Sequence, residues 1–450
     1  MQINQKKFLC LSLDGASWSG FDFLMKERTL PVITSLVNSG SYGSLHCMLP
    51  TFTYPNWASF WTGENPSRQG IFAFNDIGIS RGLLRKVDWT SLKSPTWLEQ
   101  ISNNGFKIIS IHAPLTLPPP QINGFVIADQ HTITTEDFIY PPDFAGILKT
   151  RFKELHLPKA EQFFPHGGFK DSSDIDKFIE DQIWSIKQTK ELAEYMLTEC
   201  SWNVAIIHLF ATDPLQHALW HLIDPRHPGF EIEGHNKVVK FFKELDSIIG
   251  HLIKIANPTA KLVFSSHGFV STKRIFNISR ALAEAGISRR RLFTRKIVKP
   301  ENILLDHKAL YIQNKKFGNG DTANKIIRAF ERVRDPESGS LVIKKAWHAR
   351  ELYDGFRQDG WDVVILEFNE GYTSRNGDAE SPILSDLLKP GKDYLIGTHT
   401  QTGVWILSGE GIITQPGFDA SITDLPPTIL TYLGQKVPTR MDGKVLPVFL

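Results

Sequence analysis

Phe8-Leu9-Cys10-Leu11-Ser12-Leu13-Asp14-Gly15 is the stretch that decides the fold. A short, mostly apolar run stops at a carboxylate and a glycine. It is too short for a membrane span or for the apolar region of a secretory leader, and no small-residue cleavage site follows it. Its length suits a buried strand, with Asp14 where the strand ends. The pattern recurs along the chain. Residues 107–111 stop at His112-Ala113-Pro114, 204–209 stop shortly before Asp213, and 260–264 stop at Ser265-Ser266-His267-Gly268. Residues 363–366 and 403–407 are runs of the same kind. Helical patterns lie between them at 30–39, 95–103, 174–199, 235–255 and 326–334. Strands alternating with helices predict an α/β fold, a mostly parallel central sheet with helices on both faces. In such sheets ligands gather at the carboxyl ends of strands, where these polar residues stand.

Two segments break the rhythm. Residues 1–130, 200–285 and 365–450 read as the α/β core, 130–200 as a helical cap, and 285–365 as an insertion or second cap. The insertion opens on the basic run Arg289-Arg290-Arg291-Leu292-Phe293-Thr294-Arg295-Lys296, which reads as a solvated face. It also holds the turn signal Asp335-Pro336-Glu337-Ser338-Gly339.

With 450 residues and 41% hydrophobic content, the chain can bury a large core in more than one packing unit. A formal net charge of +2 gives no basic field for nucleic acid and no acidic field for a cation store. No stretch approaches the roughly 18 apolar residues of a membrane helix. No membrane partner and a cytoplasmic location are therefore expected. Cys10, Cys47 and Cys200 form neither a CxxC pair nor a disulfide framework, and read as reduced, packing cysteines.

The candidate chemistry begins at Pro50-Thr51-Phe52-Thr53-Tyr54-Pro55-Asn56-Trp57. A threonine just before a helix is ordinarily its N-cap. A helix N-terminus also favours a phosphate or a nascent alkoxide. Asp213 and His217 are four residues apart and share a helical face, so both can reach one ion. Carboxylate oxygen with imidazole nitrogen suits zinc or another borderline divalent metal. Alone, such a pair is as readily a surface contact. His267 and His399 each stand close to glycine, as where backbone approaches a ligand. A histidine packed at a strand end is the plainer account of each.

In order, these pieces resemble the alkaline phosphatase superfamily, in particular its type I phosphodiesterase/nucleotide pyrophosphatase branch. The resemblance rests on Leu13-Asp-Gly-Ala, residues 30–40, the Thr53 block through Asn65-Pro-Ser-Arg-Gln-Gly-Ile-Phe, Pro118-Pro-Pro-Gln-Ile-Asn-Gly, Asp213/His217 and Ser266-His267-Gly268. It continues through Asp335-Pro-Glu-Ser-Gly, His399, Ile422-Thr-Asp-Leu-Pro-Pro-Thr-Ile-Leu and Met441-Asp-Gly-Lys-Val-Leu. It implies an alkaline phosphatase-like fold and one or two divalent ions, zinc first, with Mn²⁺ or Mg²⁺ as alternatives. One metal would be held by Asp213, His217 and His399. The other would be held by Asp14, Thr53 and His267 with one further carboxylate. Thr53 would attack phosphorus and form a phospho-threonine, while Asn56 and the Thr53 backbone N–H would donate to a phosphate oxygen. The implied substrate is a small-molecule phosphoester, nucleotide-containing ones included.

Ser266 departs from the pattern, standing where the family has an aspartate ligand. One negative charge is lost from the Thr53 side. Water or another acid then completes the site, or one firm metal works with a substrate-borne Mg²⁺, or the protein is an impaired hydrolase kept for binding or regulation. A sulfatase is disfavoured, because Glu64 occupies the place of the required Cys or Ser and Thr62-Gly63 precedes it. A phosphoglycerate mutase-like enzyme would use serine. A phosphomonoesterase stays open. Phe52, Tyr54, Trp57 and Trp220 are candidates for stacking on a base, although core or rim packing is the plainer expectation for each.

Overall fold

The computed structural model describes residues 6–77, 84–129, 138–152, 168–287, 289–290, 297–298, 303–313, 321–356, 360–390 and 393–450. Phe8–Leu13 forms a strand buried along its whole length, inside a nine-stranded sheet. It runs parallel to Val204–Leu209 on one side and to Ala260–Phe264 on the other. Ile108–Ile111 and Gly124–Ile127 extend the parallel set beyond Val204–Leu209. Thr402–Gly409 and then Ser41–His46 add antiparallel pairings on the opposite side. Ala420–Ser421 and Ile139–Tyr140 close the two edges.

The side-chain alternation of the first strand divides the core. Leu9, Leu11 and Leu13 join one apolar cluster with the helices Ser172–Glu199 and Ile232–Ala256. Phe8 and Cys10 face the other, with Thr53–Thr62, Trp97–Asn103 and Leu425–Tyr432. This is the layered α/β arrangement that the sequence predicts. Cys10, Cys47 and Cys200 carry free thiols.

Helix Ser172–Glu199 corrects the expectation of a cap over 130–200. Its Ile186, Leu192, Ala193 and Met196 are buried in the core cluster under the sheet. Ile139–Tyr140 is an edge strand of that same sheet. An apolar stripe this long is better buried as an inner layer than as a lid. Residues 153–167 of the expected cap lie outside the described residues, as do 291–296 of the basic run.

Residues of the insertion form a second sheet of four antiparallel strands, Ile303–Asp306, Ala309–Gln313, Trp361–Phe368 and Ile343–His348. Ile303, Leu310, Val364 and Leu366 build a separate core there with Phe276, Ile326 and Phe330. The run 363–366 therefore belongs to this sheet rather than the central one. Fully buried strands of either sheet read alike in sequence. The helix expected at 326–334 occupies Asp321–Phe330 instead. Among the described residues no helix is long and apolar enough to cross a membrane.

One buried carboxylate joins two helices of the first layer. Asp246, on Ile232–Ala256, accepts hydrogen bonds from the backbone N–H groups of Val32 and Ile33, both at 2.9 Å. These are orphan donors in the first turn of Pro31–Ser39, where a carboxylate also complements the helix dipole. Asp246→Ala leaves both donors unmet and is expected to lower unfolding stability by about 2 kcal/mol. Urea denaturation checks this, and an unchanged midpoint would mean that water replaces the carboxylate.

Candidate active site and metal centre

Thr53 is the first residue of helix Thr53–Thr62, and Phe52 takes the N-cap position with extended backbone (φ −134°, ψ 156°). The Thr53 hydroxyl therefore does not cap the helix. Its Oγ1 lies 3.2 Å from His267 Nε2. The positive end of the helix dipole sits beside that hydroxyl.

A two-stranded ribbon carries the histidines. Gly268–Ser271 pairs antiparallel with Gly397–Thr400, so Phe269 stands opposite His399. The rings of His267 and His399 stack with centroids 3.7 Å apart. Close backbone approach makes glycine obligatory here. A Cβ on Gly268 would lie 1.9 Å from the Thr402 carbonyl oxygen, and one on Gly397 would lie 2.3 Å from that of Gln216.

Asp213 and His217 project from helix Thr212–Ile223 toward this ribbon. His399 Nε2 is 2.9 Å from Asp213 Oδ1 and 3.0 Å from His217 Nε2. The other ring nitrogens fix the tautomers. His217 Nδ1 is 2.8 Å from the Gly397 carbonyl oxygen, and His399 Nδ1 is 3.1 Å from that of Thr51. A carbonyl only accepts, so each Nδ1 bears the proton and each Nε2 presents a lone pair. Two lone pairs and a carboxylate converge, as a cation requires. Burial, helped by His399 and opposed by the Asp213 carboxylate, pushes His217 down to about 4, so the ring is neutral near pH 7. Burial also holds His399 well below its ordinary value, helped by the charge of His267. Asp213, His267 and His399 each offer one donor atom, all within 4.8 Å of one another. This donor set fits a divalent metal such as zinc.

Asp14 lies beneath, fully buried at the end of its strand. Its Oδ1 is 3.3 Å from His267 Nε2, and its Oδ2 is 3.6 Å from His208 Nε2. Burial alone would raise this carboxyl, but His208 and His267 outweigh it and hold Asp14 well below the usual carboxylate range. Ser266 Oγ donates to Asp14 Oδ1 at 3.3 Å. Among the described residues, Asp14 Oδ2 and His208 Nε2 make no hydrogen bond of good length. Buried this deep with only their 3.6 Å approach to each other, these two atoms are compatible with a cation bound beside Asp14.

Thr53, Asp213, His217 and His399 open onto one pocket of about 330 Å³. Phe52, Tyr54, Phe74 and Tyr394 supply its aromatic wall. Trp57 and Trp220 are fully buried in the core clusters instead. Asn56 requires a correction. Expected to meet a phosphate oxygen, it is wholly buried, accepts from Met48 N at 2.6 Å and donates to the Phe52 carbonyl at 2.8 Å. Its amide locks the loop before the helix and does not line the pocket. Sequence reasoning missed His208, a mid-strand residue that looks like core. It also missed His307 and Lys308, which come from the second sheet. Their signal was readable as a polar pair between the apolar stretches 303–305 and 309–312, a hairpin tip.

The sequence model of the family described as type I phosphodiesterase / nucleotide pyrophosphatase matches residues 8–401. No match is found among the curated proteins. Among solved structures, human ectonucleotide pyrophosphatase / phosphodiesterase 5 is similar with a TM-score of 0.60 and 13% identity, over 98% of this chain and 97% of that one. An inactive murine form of the same relative, in complex with AMP, gives 0.59 and 16%, over 96% of both chains. Phosphonoacetate hydrolase from Sinorhizobium meliloti 1021, in complex with phosphonoformate, gives 0.59 and 15%, over 90% of both. At these identities the structural likenesses establish the fold alone.

Ser266 faces a carboxylate where a further ligand was expected. Ser266→Asp is expected to raise the affinity for the weaker of two added zinc equivalents by about tenfold or more. Competitive chelator titration reads this, and an unchanged second affinity would remove Ser266 from the metal site.

Proposed function

Because the chain belongs to the type I phosphodiesterase/nucleotide pyrophosphatase family, we propose that it hydrolyses small phosphodiesters, nucleotide-containing ones included, with Thr53 as the nucleophile. The observation that carries this reading is the Thr53 hydroxyl, at a helix N-terminus and 3.2 Å from His267 Nε2. It lies in the same pocket as Asp213, His217 and His399.

Asp213, His217 and His399 would hold one divalent ion, zinc by the nature of the donors, and Asp14, Thr53 and His267 a second. Bound there, such ions supply acidification of a hydroxyl and neutralisation of phosphoryl charge. The residues do the rest. Thr53 gives up its proton to solvent, and its Oγ1 attacks phosphorus in line. The new Oγ1–P bond forms as the bond to the leaving oxygen breaks, and the departing alkoxide takes a proton from water. Water then attacks the phospho-threonine, restoring the Thr53 hydroxyl and releasing a phosphate monoester. Helix Thr53–Thr62 stabilises negative charge at its N-terminus throughout. The carbonyls of Gly397 and Thr51 hold His217 and His399 in the ligating tautomer.

Ser266 lowers the negative charge on the Asp14 side, so the Asp213/His217/His399 set is the tighter of the two. The retained Thr53 and its partners favour an active enzyme over an impaired member kept for binding. The aromatic wall suits a planar base, and the murine relative was solved with AMP.

Bis(p-nitrophenyl) phosphate tests the reading. Hydrolysis by the wild type is expected to need Zn²⁺ or Mn²⁺ and to stop on chelation. Thr53→Ala is expected to fall by on the order of a thousandfold or more in kcat. Equal rates in the two proteins would overturn the assignment of Thr53.

A further inference from the structure

The insertion reaches into the pocket through one hairpin tip, Asp306-His307-Lys308-Ala309. His307 takes a left-handed backbone (φ 51°), uncommon outside glycine. The tip is held from several sides. Asp306 Oδ2 accepts from Asn75 N and Nδ2 at 2.8 and 2.9 Å. The His307 ring lies edge-on to Phe52 and Phe74. Ser374 Oγ donates to the His307 carbonyl at 3.2 Å, and Leu366 N donates to that of Lys308 at 2.9 Å. Structure invested at one tip gives Lys308 a fixed position.

Lys308 is only 4% exposed. Its ammonium donates to Thr51 Oγ1 and lies 5.2 Å from the centre of the Phe52 ring. Among the described residues it makes no ion pair. Burial pushes it down to about 8, which leaves it largely protonated at pH 7. A buried cation with no anion beside it is costly, and removing water from it gains nothing unless a counter-charge arrives. Lys308 lines the pocket that holds Thr53, Asp213 and His399. It also lines an adjoining cleft of about 380 Å³, whose walls include Gln401, Glu370 and the ion pair of Lys344 with Glu367 at 2.7 Å, so Lys308 is the cation there with no carboxylate paired to it among the described residues. It therefore stands at the boundary of the two spaces, within reach of a ligand that extends past the reacting group.

We propose that Lys308 is an anion receptor, binding a second anionic group that the substrate carries beyond the phosphate attacked by Thr53. The proposal rests on the reading of this pocket as a phosphoester site. What it adds to that reading is the residue, Lys308, that would favour phosphoesters with a second anionic group over singly charged diesters. The recognising charge comes from the insertion, and the reacting groups come from the central sheet.

Two probes that differ by one carboxylate test it, methyl phosphate and O-phosphoglycolate. Both are titrated by calorimetry into zinc-loaded Thr53→Ala protein, where turnover is blocked, with Lys308 intact or changed to Met or Arg. With Lys308, phosphoglycolate is expected to bind about tenfold or more tighter than methyl phosphate. Lys308→Met is expected to bring that ratio close to one with methyl phosphate little changed, and Lys308→Arg to retain part of it. Lys308→Met is also expected to raise the thermal midpoint, because an unpaired buried charge is removed. That combination distinguishes a receptor from a residue that merely supports the fold. Equal weakening of both probes, or an unchanged ratio in Lys308→Met, would overturn the proposal. Binding is read without turnover, so failure here is separable from failure of Thr53 as nucleophile in the diester assay.

Discussion

Four residue pairs of antiparallel ribbon, Gly268–Ser271 against Gly397–Thr400, hold the pocket in its shape. The ribbon sets His399 against His267 and brings the Gly397 carbonyl onto His217. Each consequence follows from close backbone packing. Gly268 lies under the Thr402 carbonyl and Gly397 under that of Gln216, with no room for a side chain at either. With the ribbon fixed, proton positions on two imidazoles are fixed as well. Their lone pairs then have one direction in which to point, toward Asp213. The acidity and affinity of this centre are properties of backbone geometry as much as of the residues that touch a ligand.

The central sheet was legible because buried strands leave continuous apolar runs, and the runs ending at Asp14 and His267 became neighbouring strands. The site was legible in part. Asp213 and His217 look like an ordinary helix-surface pair until His399, 182 residues on from His217, comes within 3.0 Å. Spacing alone could not supply that contact; the order of motifs did. Spacing also could not say which way Asn56 turns. Its amide is taken by the loop that positions Thr53, a role open to any buried asparagine. Residues 130–200 read as a helical cap because they break the strand–helix rhythm, yet the apolar stripe of Ser172–Glu199 was the deciding feature. His208 left no trace because a histidine inside a strand looks the same whether it packs or steadies a carboxylate.

Two departures act in the same electrostatic direction. Ser266 removes a negative charge beside Asp14, and Lys308 adds a positive one at the wall near Thr51. Both make the surroundings of the pocket less negative. The pocket also has two sources. Strand ends and the helices that follow them bring Asp14, Thr53, Asp213 and His217, while a hairpin from an independent sheet brings Lys308. Such a hairpin can change in sequence without disturbing the layers beneath it.

The Thr51 carbonyl that orients His399 precedes it by 348 residues. During synthesis the strand ending at Asp14 emerges first and the helix bearing Thr53 soon after. The His399 ring emerges only when most of the central sheet has already been made. Contacts of such long sequence separation are also the slow ones in folding. A chain that stops short of residue 399 thus carries Thr53 without the His399 ring that stacks on His267 and meets Asp213. The cluster around Asp213 is therefore complete only after the Gly397–Thr400 strand has paired, which makes the pocket one of the last parts of the molecule to take shape.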